Sequence, residues 1–439
     1  TISDIWLRSW QSGGPSSRAL MENQSERRKR SPSTMSIGVP GQPVGAVGYL
    51  RGMAKYPRVR EQNIVVFGES GSGKTVLASS FFGHTQEGTF TNDLWDLEAV
   101  QGGQSHRLNQ NYLGMRDEAT APLQTRFALT TYEFTVKLKG NGEETDKKRP
   151  FDQVRLAWHD YPGDWLRNDP SGDEETKRRT EAWMTLLKSD VALLLVDGQM
   201  LLDNKGQAKL VDFGLATVKD QLTQGGPVAE FPRIWILALS KADLLPELDV
   251  IKFRDLVNLK SADDIARLRA SIADLIEEPE ALSIGEDYML LSSAKFRHAS
   301  SDDDPVKIDV SQRVGLDLIL PLALMLPMER RVQWEEELTI PQKVLDKLAD
   351  GADVIAMALT DESLPLVSEL LRKVTDRKHA RAVSLGLPIL KRAVQSAGPK
   401  LREMNEKARA KNDYLRATLT QFKIDLEEGI ADKNLLVRK

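Results

Sequence analysis

The sequence predicts an α/β protein. A three-layer domain over residues 59–335, with a mostly parallel sheet between helices, follows a flexible tail (1–58) and precedes an all-helical C-terminal region (336–439). Three observations predict this. First, short unbroken apolar runs recur at Ile64–Phe67, Val191–Val196, Ile234–Leu239 and Tyr288–Leu291. Runs without alternation belong to strands buried on both faces, as in parallel sheets. Second, segments of helical character separate these runs, the order expected of βα units. Third, no strand signal occurs after residue 340.

Taken in order, the tail carries Pro15, Pro32, Pro40 and Pro43 among Ser and Gly, without apolar periodicity. Its basic run Arg27–Arg30 reads as a solvated charge cluster rather than an anionic-surface or import signal. Lys74–Phe82 is the expected first helix, and a further helix is expected around Leu108–Thr120. Thr130–Leu138 alternates like a half-buried strand, Gly140-Asn141-Gly142 supplies a turn, and Val154–Asp160 is the returning strand. Glu174–Lys188 and Ser311–Trp334 are expected helices. Beyond them, Leu401, Met404, Ala408, Leu415, Leu419, Phe422 and Leu426 recur near helical spacing. Packing on the core is the expected role of that face. The alternative is a surface for a protein partner or for self-association.

Composition narrows the function. The 439 residues are 41% hydrophobic, enough for two or three domains with a sizeable core. A net charge of −4 argues against a nucleic-acid binder working by bulk charge. The absence of cysteine excludes disulfides and thiolate metal sites and fits a cytoplasmic compartment. The five histidines lack the spacing of a zinc-binding helix. The most apolar run, Leu316–Met328, is too short to span a bilayer and contains Asp317, Pro321 and Pro327, so no transmembrane segment is expected.

The strongest motif is Gly68-Glu69-Ser70-Gly71-Ser72-Gly73-Lys74-Thr75, which matches GxxxxGK[ST] between an apolar strand and a helix. Its glycines let successive N–H groups turn inward towards phosphate oxygens, and the helix N-terminus adds partial positive charge. Lys74 is expected to reach the β- and γ-phosphates, and the Thr75 hydroxyl to ligate Mg²⁺.

Three later motifs follow in order: Asp160-Tyr161-Pro162-Gly163 at a strand end, Ser240-Lys241-Ala242-Asp243 after another, and Ser293-Ala294-Lys295 after a third. Together with the phosphate loop they resemble the motif set of P-loop GTPases of the Ras-like and translation-factor class, over roughly residues 60–335. The resemblance implies that Asp160 holds Mg²⁺ through water and that the Gly163 N–H senses the γ-phosphate. It implies that Lys241 lies along the base and that Asp243 reads guanine. A backbone N–H of Ser293-Ala294-Lys295 then meets the guanine carbonyl. A carboxylate suits guanine because N1–H and the exocyclic amine are adjacent donors, a pair that adenine lacks. Ser240 departs from the Asn or Thr of the family and puts affinity in question more than base identity.

The switch threonine that closes over Mg²⁺ should precede Thr130–Leu138. Thr125 is favoured over Thr120. Where many members carry a water-orienting glutamine, this chain has Asp164, which is shorter and anionic and repels a γ-phosphate if it points inward. Slow intrinsic hydrolysis, or help from another residue or a partner, is therefore expected. Lys209–Ala216 imitates the DFG segment of kinases, but no HRD loop or VAIK strand accompanies it. The expected function is a GTP/GDP switch. The alternative is a scaffold GTPase assembling through its C-terminal helices, and a third possibility is an ATPase that imitates the motif set.

Overall fold

The computed structural model describes residues 59–438 apart from 121, 123–128, 141–150, 167–168, 187–188, 207–218, 221, 225, 229–232, 298–306, 338–354, 356–358 and 360–397. The N-terminal tail, Gly140-Asn141-Gly142 beyond its first residue, Thr125 and the segment 209–216 lie outside the described residues.

The apolar runs form the centre of the sheet. β1 (Val59–Phe67) lies between β4 (Gln153–Asp160) and β5 (Val191–Asp197), and β6 (Ile234–Ser240) and β7 (Asp287–Leu290) continue outward from β5. All these neighbours are parallel. On the other side, β3 (Thr130–Leu138) and β2 (Trp95–Ala99) extend the sheet antiparallel from β4. The eight-stranded sheet closes with β10 (Leu435–Leu436), antiparallel to β7. This is an α/β fold with a mostly parallel sheet.

Alternation along β1 explains the lack of alternation in its hydropathy. Ile64 and Val66 join one buried cluster, while Val65 and Phe67 join another on the opposite face. The first face is covered by α1 (Lys74–Thr85), α7 (Ile319–Glu337) and α9 (Tyr414–Ala431). The second is covered by α3 (Asp173–Leu186), α5 (Val250–Lys260) and α6 (Ala262–Ala273). There Phe67 stacks on Trp183 and Trp235, each at a centroid distance of 5.4 Å. β3, buried on one face only, keeps its visible alternation: Tyr132, Phe134, Val136 and Leu138 are the buried set.

Several elements differ from expectation. α2 runs from Gly102 to Glu118, beginning before Leu108 despite two leading glycines, because the Gln104 side chain fastens its first turn to β3. The helix expected from Ser311 begins only at Ile319. Before it, β9 (Lys307–Asp309) pairs with β8 (Lys295–Arg297), and Gly315 turns with φ 68°. A Cβ at Gly315 would lie 2.1 Å from the Leu290 carbonyl oxygen, so the helix cannot extend back through it.

The C-terminal region is not all-helical. After α8 (Gly398–Ala410) and α9 the chain adds β10 to the sheet. Two leucines are too few for a periodicity signal. The expected helical face packs inward: Leu415, Leu419, Phe422 and Leu426 belong to the same core cluster as β1 and β4. No helix among the described residues is long and apolar enough to cross a membrane.

Candidate functional site

The loop after β1 has the shape its glycines permit. Gly71 and Gly73 take left-handed backbone angles (φ 86° and 91°), closed to most side chains. Gly68 faces the Ser72 hydroxyl and Leu195 so closely that a Cβ would come within 2.5 and 3.0 Å of them. Ser72 N–H donates to the Glu69 carbonyl at 3.1 Å, closing the turn. Lys74 opens α1 and is buried, with Nζ donating to the carbonyls of Gly68 (2.7 Å) and Glu69 (2.9 Å). Burial pushes its pKa down, against the pull of Asp160, Asp164, Asp197 and Glu69. The first turn of α1 carries no acidic residue, so the positive end of the helix stays available to an anion.

β4 delivers Asp160 beside this loop, in register with Val66. Thr75 Oγ1 donates to Asp160 Oδ2 at 3.0 Å. Asp160 is fully buried, and its Oδ1 has no hydrogen-bond partner among the described residues. Burial raises its pKa, opposed by Lys74, the Thr75 hydroxyl and Arg107. A buried carboxylate oxygen with unused capacity beside a threonine hydroxyl fits a hard divalent cation such as Mg²⁺. That ion commonly takes one or two protein oxygens and completes its shell with water and phosphate. Among the described residues no group of three or more His, Asp or Glu is placed to hold a metal ion.

Gly163 packs directly on the phosphate loop. A Cβ there would lie 2.2 Å from Ser70 N and 2.6 Å from Glu69 C and Ser70 Cα. Gly163→Ala is therefore expected to force the two loops apart and destabilise the protein by about 1–3 kcal/mol, the usual range for overpacking. Chemical denaturation checks this, and an unchanged midpoint would show that the contact is dispensable. Asp164 follows Gly163 in a short 3₁₀ turn (Gly163–Leu166) and pulls electrostatically on Lys74.

The remaining motifs meet at the ends of β5, β6 and β7. Lys241 takes a left-handed angle (φ 54°), and its Nζ forms an ion pair with Asp197 Oδ2 at 2.8 Å. Asp197 ends β5 opposite Ser240 and caps the short helix α4 (Gly198–Asp203) through the Gln199 N–H. Gly198 lets the two loops touch, since a Cβ would come within 2.7 Å of the Ser240 carbonyl oxygen. The Ser292 hydroxyl lies 2.7 Å from both Asp243 Oδ1 and the Ala294 carbonyl oxygen, tying the second and third motifs together. Ser293 and Ala294 are buried, and Lys295 is exposed. Ser240 Oγ donates to the Val196 carbonyl at 3.3 Å, so it braces β5 rather than the phosphate loop.

Gly68–Thr75, Asp160–Gly163, Lys241–Asp243 and Ser293–Lys295 thus follow the carboxyl ends of parallel strands β1, β4, β6 and β7. That edge is where open α/β sheets bind ligands. Thr120 closes the end of α2, donating from N to the Gly114 carbonyl. Sequence reasoning missed Asp197 and Ser292. The signal for Asp197 was present as an aspartate closing an unbroken apolar run, a strand-end position like that of Asp160. The fold and loops define an α/β protein with a glycine-rich loop and a carboxylate-bearing rim on one sheet edge. No protein-family model and no curated protein matches the chain.

Proposed function

We propose that the chain is a P-loop GTPase: it binds GTP or GDP with Mg²⁺, hydrolyses GTP slowly, and acts as a nucleotide-dependent switch towards a protein partner. The observation carrying this reading is the contact of Thr75 with Asp160 beneath the Lys74 loop, at the edge that also bears Asp243. In this reading the loop N–H groups and Lys74 hold the phosphates. Thr75 and Asp160 hold Mg²⁺, with Thr125 as the proposed switch threonine. The ion, when bound, offsets charge on the β- and γ-phosphates.

Gly163 offers its N–H to the γ-phosphate and transmits its presence to the phosphate loop it already touches. Asp243 accepts from guanine N1–H and the exocyclic amine, held in place by Ser292. Lys241 lies along the base, its ammonium anchored on Asp197. A backbone N–H of Ser293-Ala294-Lys295 donates to the guanine carbonyl. Asp164 adds negative charge beside the γ-phosphate, which keeps unassisted hydrolysis slow. The apolar residues of α9 are already committed to the core, which favours a switch over a scaffold assembling through that face.

Titration with fluorescent GTP and ATP tests the reading. GTP is expected to bind with a preference of ~10⁴ or more over ATP, the range open to a site matched to a donor pair. Asp243→Asn is expected to shift preference towards xanthosine nucleotides, because the amide can donate to the carbonyl that replaces the guanine amine. Calorimetry without heat on adding GTP overturns the proposal, and retained GTP preference in the variant removes Asp243 as base reader.

A further inference from the structure

α2 is a helix near the candidate site that the motif set does not use, and two side chains set its position. At its first turn, Gln104 Nε2 donates to the Thr131 carbonyl (2.6 Å) while its Oε1 accepts from Glu133 N–H (3.2 Å). Thr131 is next to Thr130, which faces Asp160 across the β3–β4 pair. Two turns on, Asn111 Nδ2 donates to Ser79 Oγ at 3.2 Å, and Ser79 Oγ donates to the Thr75 carbonyl at 2.8 Å. One end of this helical face therefore rests over the end of β4, and the other over the first turns of α1.

Arg107 lies between these two anchors, three residues after Gln104 and four before Asn111, a spacing that places all three on one side of the helix. Its neighbour Leu108 is fully buried and fixes the helix rotation, while Arg107 itself is exposed. Among the described residues the guanidinium has no hydrogen-bond or ion-pair partner. Its electrostatic pull reaches the buried Asp160 carboxyl. An arginine at such a place is ordinarily paired or solvated at the rim. Here it stands between an anchor on β3, beside the Thr130 that pairs with Asp160, and an anchor on Ser79, which bonds to the Thr75 carbonyl.

We propose that Arg107 is a catalytic arginine supplied by the chain itself, stabilising charge on the phosphoryl group as GTP is hydrolysed. The inference rests on the GTPase reading above. In the step, the oxygen of a water bonds to the γ-phosphorus. The bond from that phosphorus to the bridging oxygen breaks, its electron pair remaining on the β-phosphate. The proton of the water leaves with inorganic phosphate. Arg107 transfers no proton and forms no covalent bond. Its planar fork donates to two oxygens whose charge changes in the transition state.

Single-turnover hydrolysis and GTP affinity measured on the full chain test this, with Arg107→Ala and Arg107→Lys. The wild type is expected to turn over on the order of 10⁻² s⁻¹, the range of GTPases with an arginine in cis, and Arg107→Ala to be slower by about 10³-fold. Its affinity for GTP should stay within ~3-fold, because the interaction belongs to the transition state. Arg107→Lys should recover little, since a point charge does not reproduce the fork. Binding of GDP with aluminium fluoride, which imitates the transferring phosphoryl group, should be lost in Arg107→Ala. Wild-type binding and turnover with an equally fast Arg107→Ala overturns the assignment alone, as does a loss confined to GTP affinity. A wild type that binds no GTP overturns the GTPase reading itself.

Discussion

Lys74→Ala is expected to lose nucleotide affinity by about 30-fold to several thousand-fold, for GTP and GDP alike, with little change in the stability of the nucleotide-free protein. The size follows from removing one partner of a desolvated charge pair, which costs roughly 2–5 kcal/mol, at 1.4 kcal/mol per tenfold. The insensitivity of the fold follows from the surroundings of Lys74. Its ammonium sits in a buried position that disfavours charge, held by two carbonyls of its own loop and by the field of Asp160, Asp164, Asp197 and Glu69. Removal loses the two hydrogen bonds but also lifts a desolvation cost, and the opposed terms leave the unfolding temperature within a few degrees. Fluorescent-nucleotide titration and a thermal melt measure the two sides. Affinity retained within ~3-fold would show that Lys74 is not a phosphate ligand. A collapsed melt would show that its role is structural.

The sheet was legible wherever burial on both faces made strands apolar throughout. Val191–Asp197 and Ile234–Ser240 are such strands, and the end of the second placed Lys241 and Asp243 by extension. β2 was not legible because Trp95–Ala99 is an edge strand with Asp96 and Glu98 facing solvent and only Leu97 fully buried. α5 and α6 escaped because their apolar positions mix with charges on short helices. What sequence could not supply was the pairing of distant side chains. That Ser292 orients Asp243, that Asp197 anchors Lys241, and that Gln104 lays α2 across β3 all depend on register and crossover, which local periodicity does not carry. The motifs were readable because phosphate and base chemistry constrains short contiguous segments. The residues that support them are dispersed.

The opposite edge of the sheet holds the largest expected effect on stability. Asp287 begins β7 and is completely buried, as is its ion-pair partner Arg330 on α7. Arg330 also donates to Gln333 Oε1 at 2.9 Å and lies over the Trp334 ring at 5.9 Å. The second carboxylate oxygen of Asp287 accepts from Arg438 N–H at 3.0 Å, just past β10. One side chain thus joins the sheet, the long helix and the C-terminal strand. Asp287→Ala leaves a buried guanidinium with only the more distant Glu286 carboxylate, at 3.7 Å, as counter-charge, a loss of roughly 3–5 kcal/mol where the nearer partner carries most of the pairing. At 2–4 °C per kcal/mol for a domain of this size, the melting temperature should fall by about 6–20 °C. The C-terminal segment should become more susceptible to proteolysis, because β10 loses the acceptor that fastens its end. Adding Arg330→Leu should recover much of the loss, since replacing both partners by apolar groups is often nearly neutral where removing one is not. Nucleotide affinity, measured below the transition, should be unchanged. Asp287 stands at the amino end of β7, while the phosphate loop, Asp160, Asp243 and Ser293–Lys295 lie at the carboxyl ends of parallel strands. A destabilisation below ~1 kcal/mol would mean that Glu286 or solvent compensates Arg330. Loss of GTP binding at a temperature where the variant is folded would mean that the two ends of the sheet are coupled.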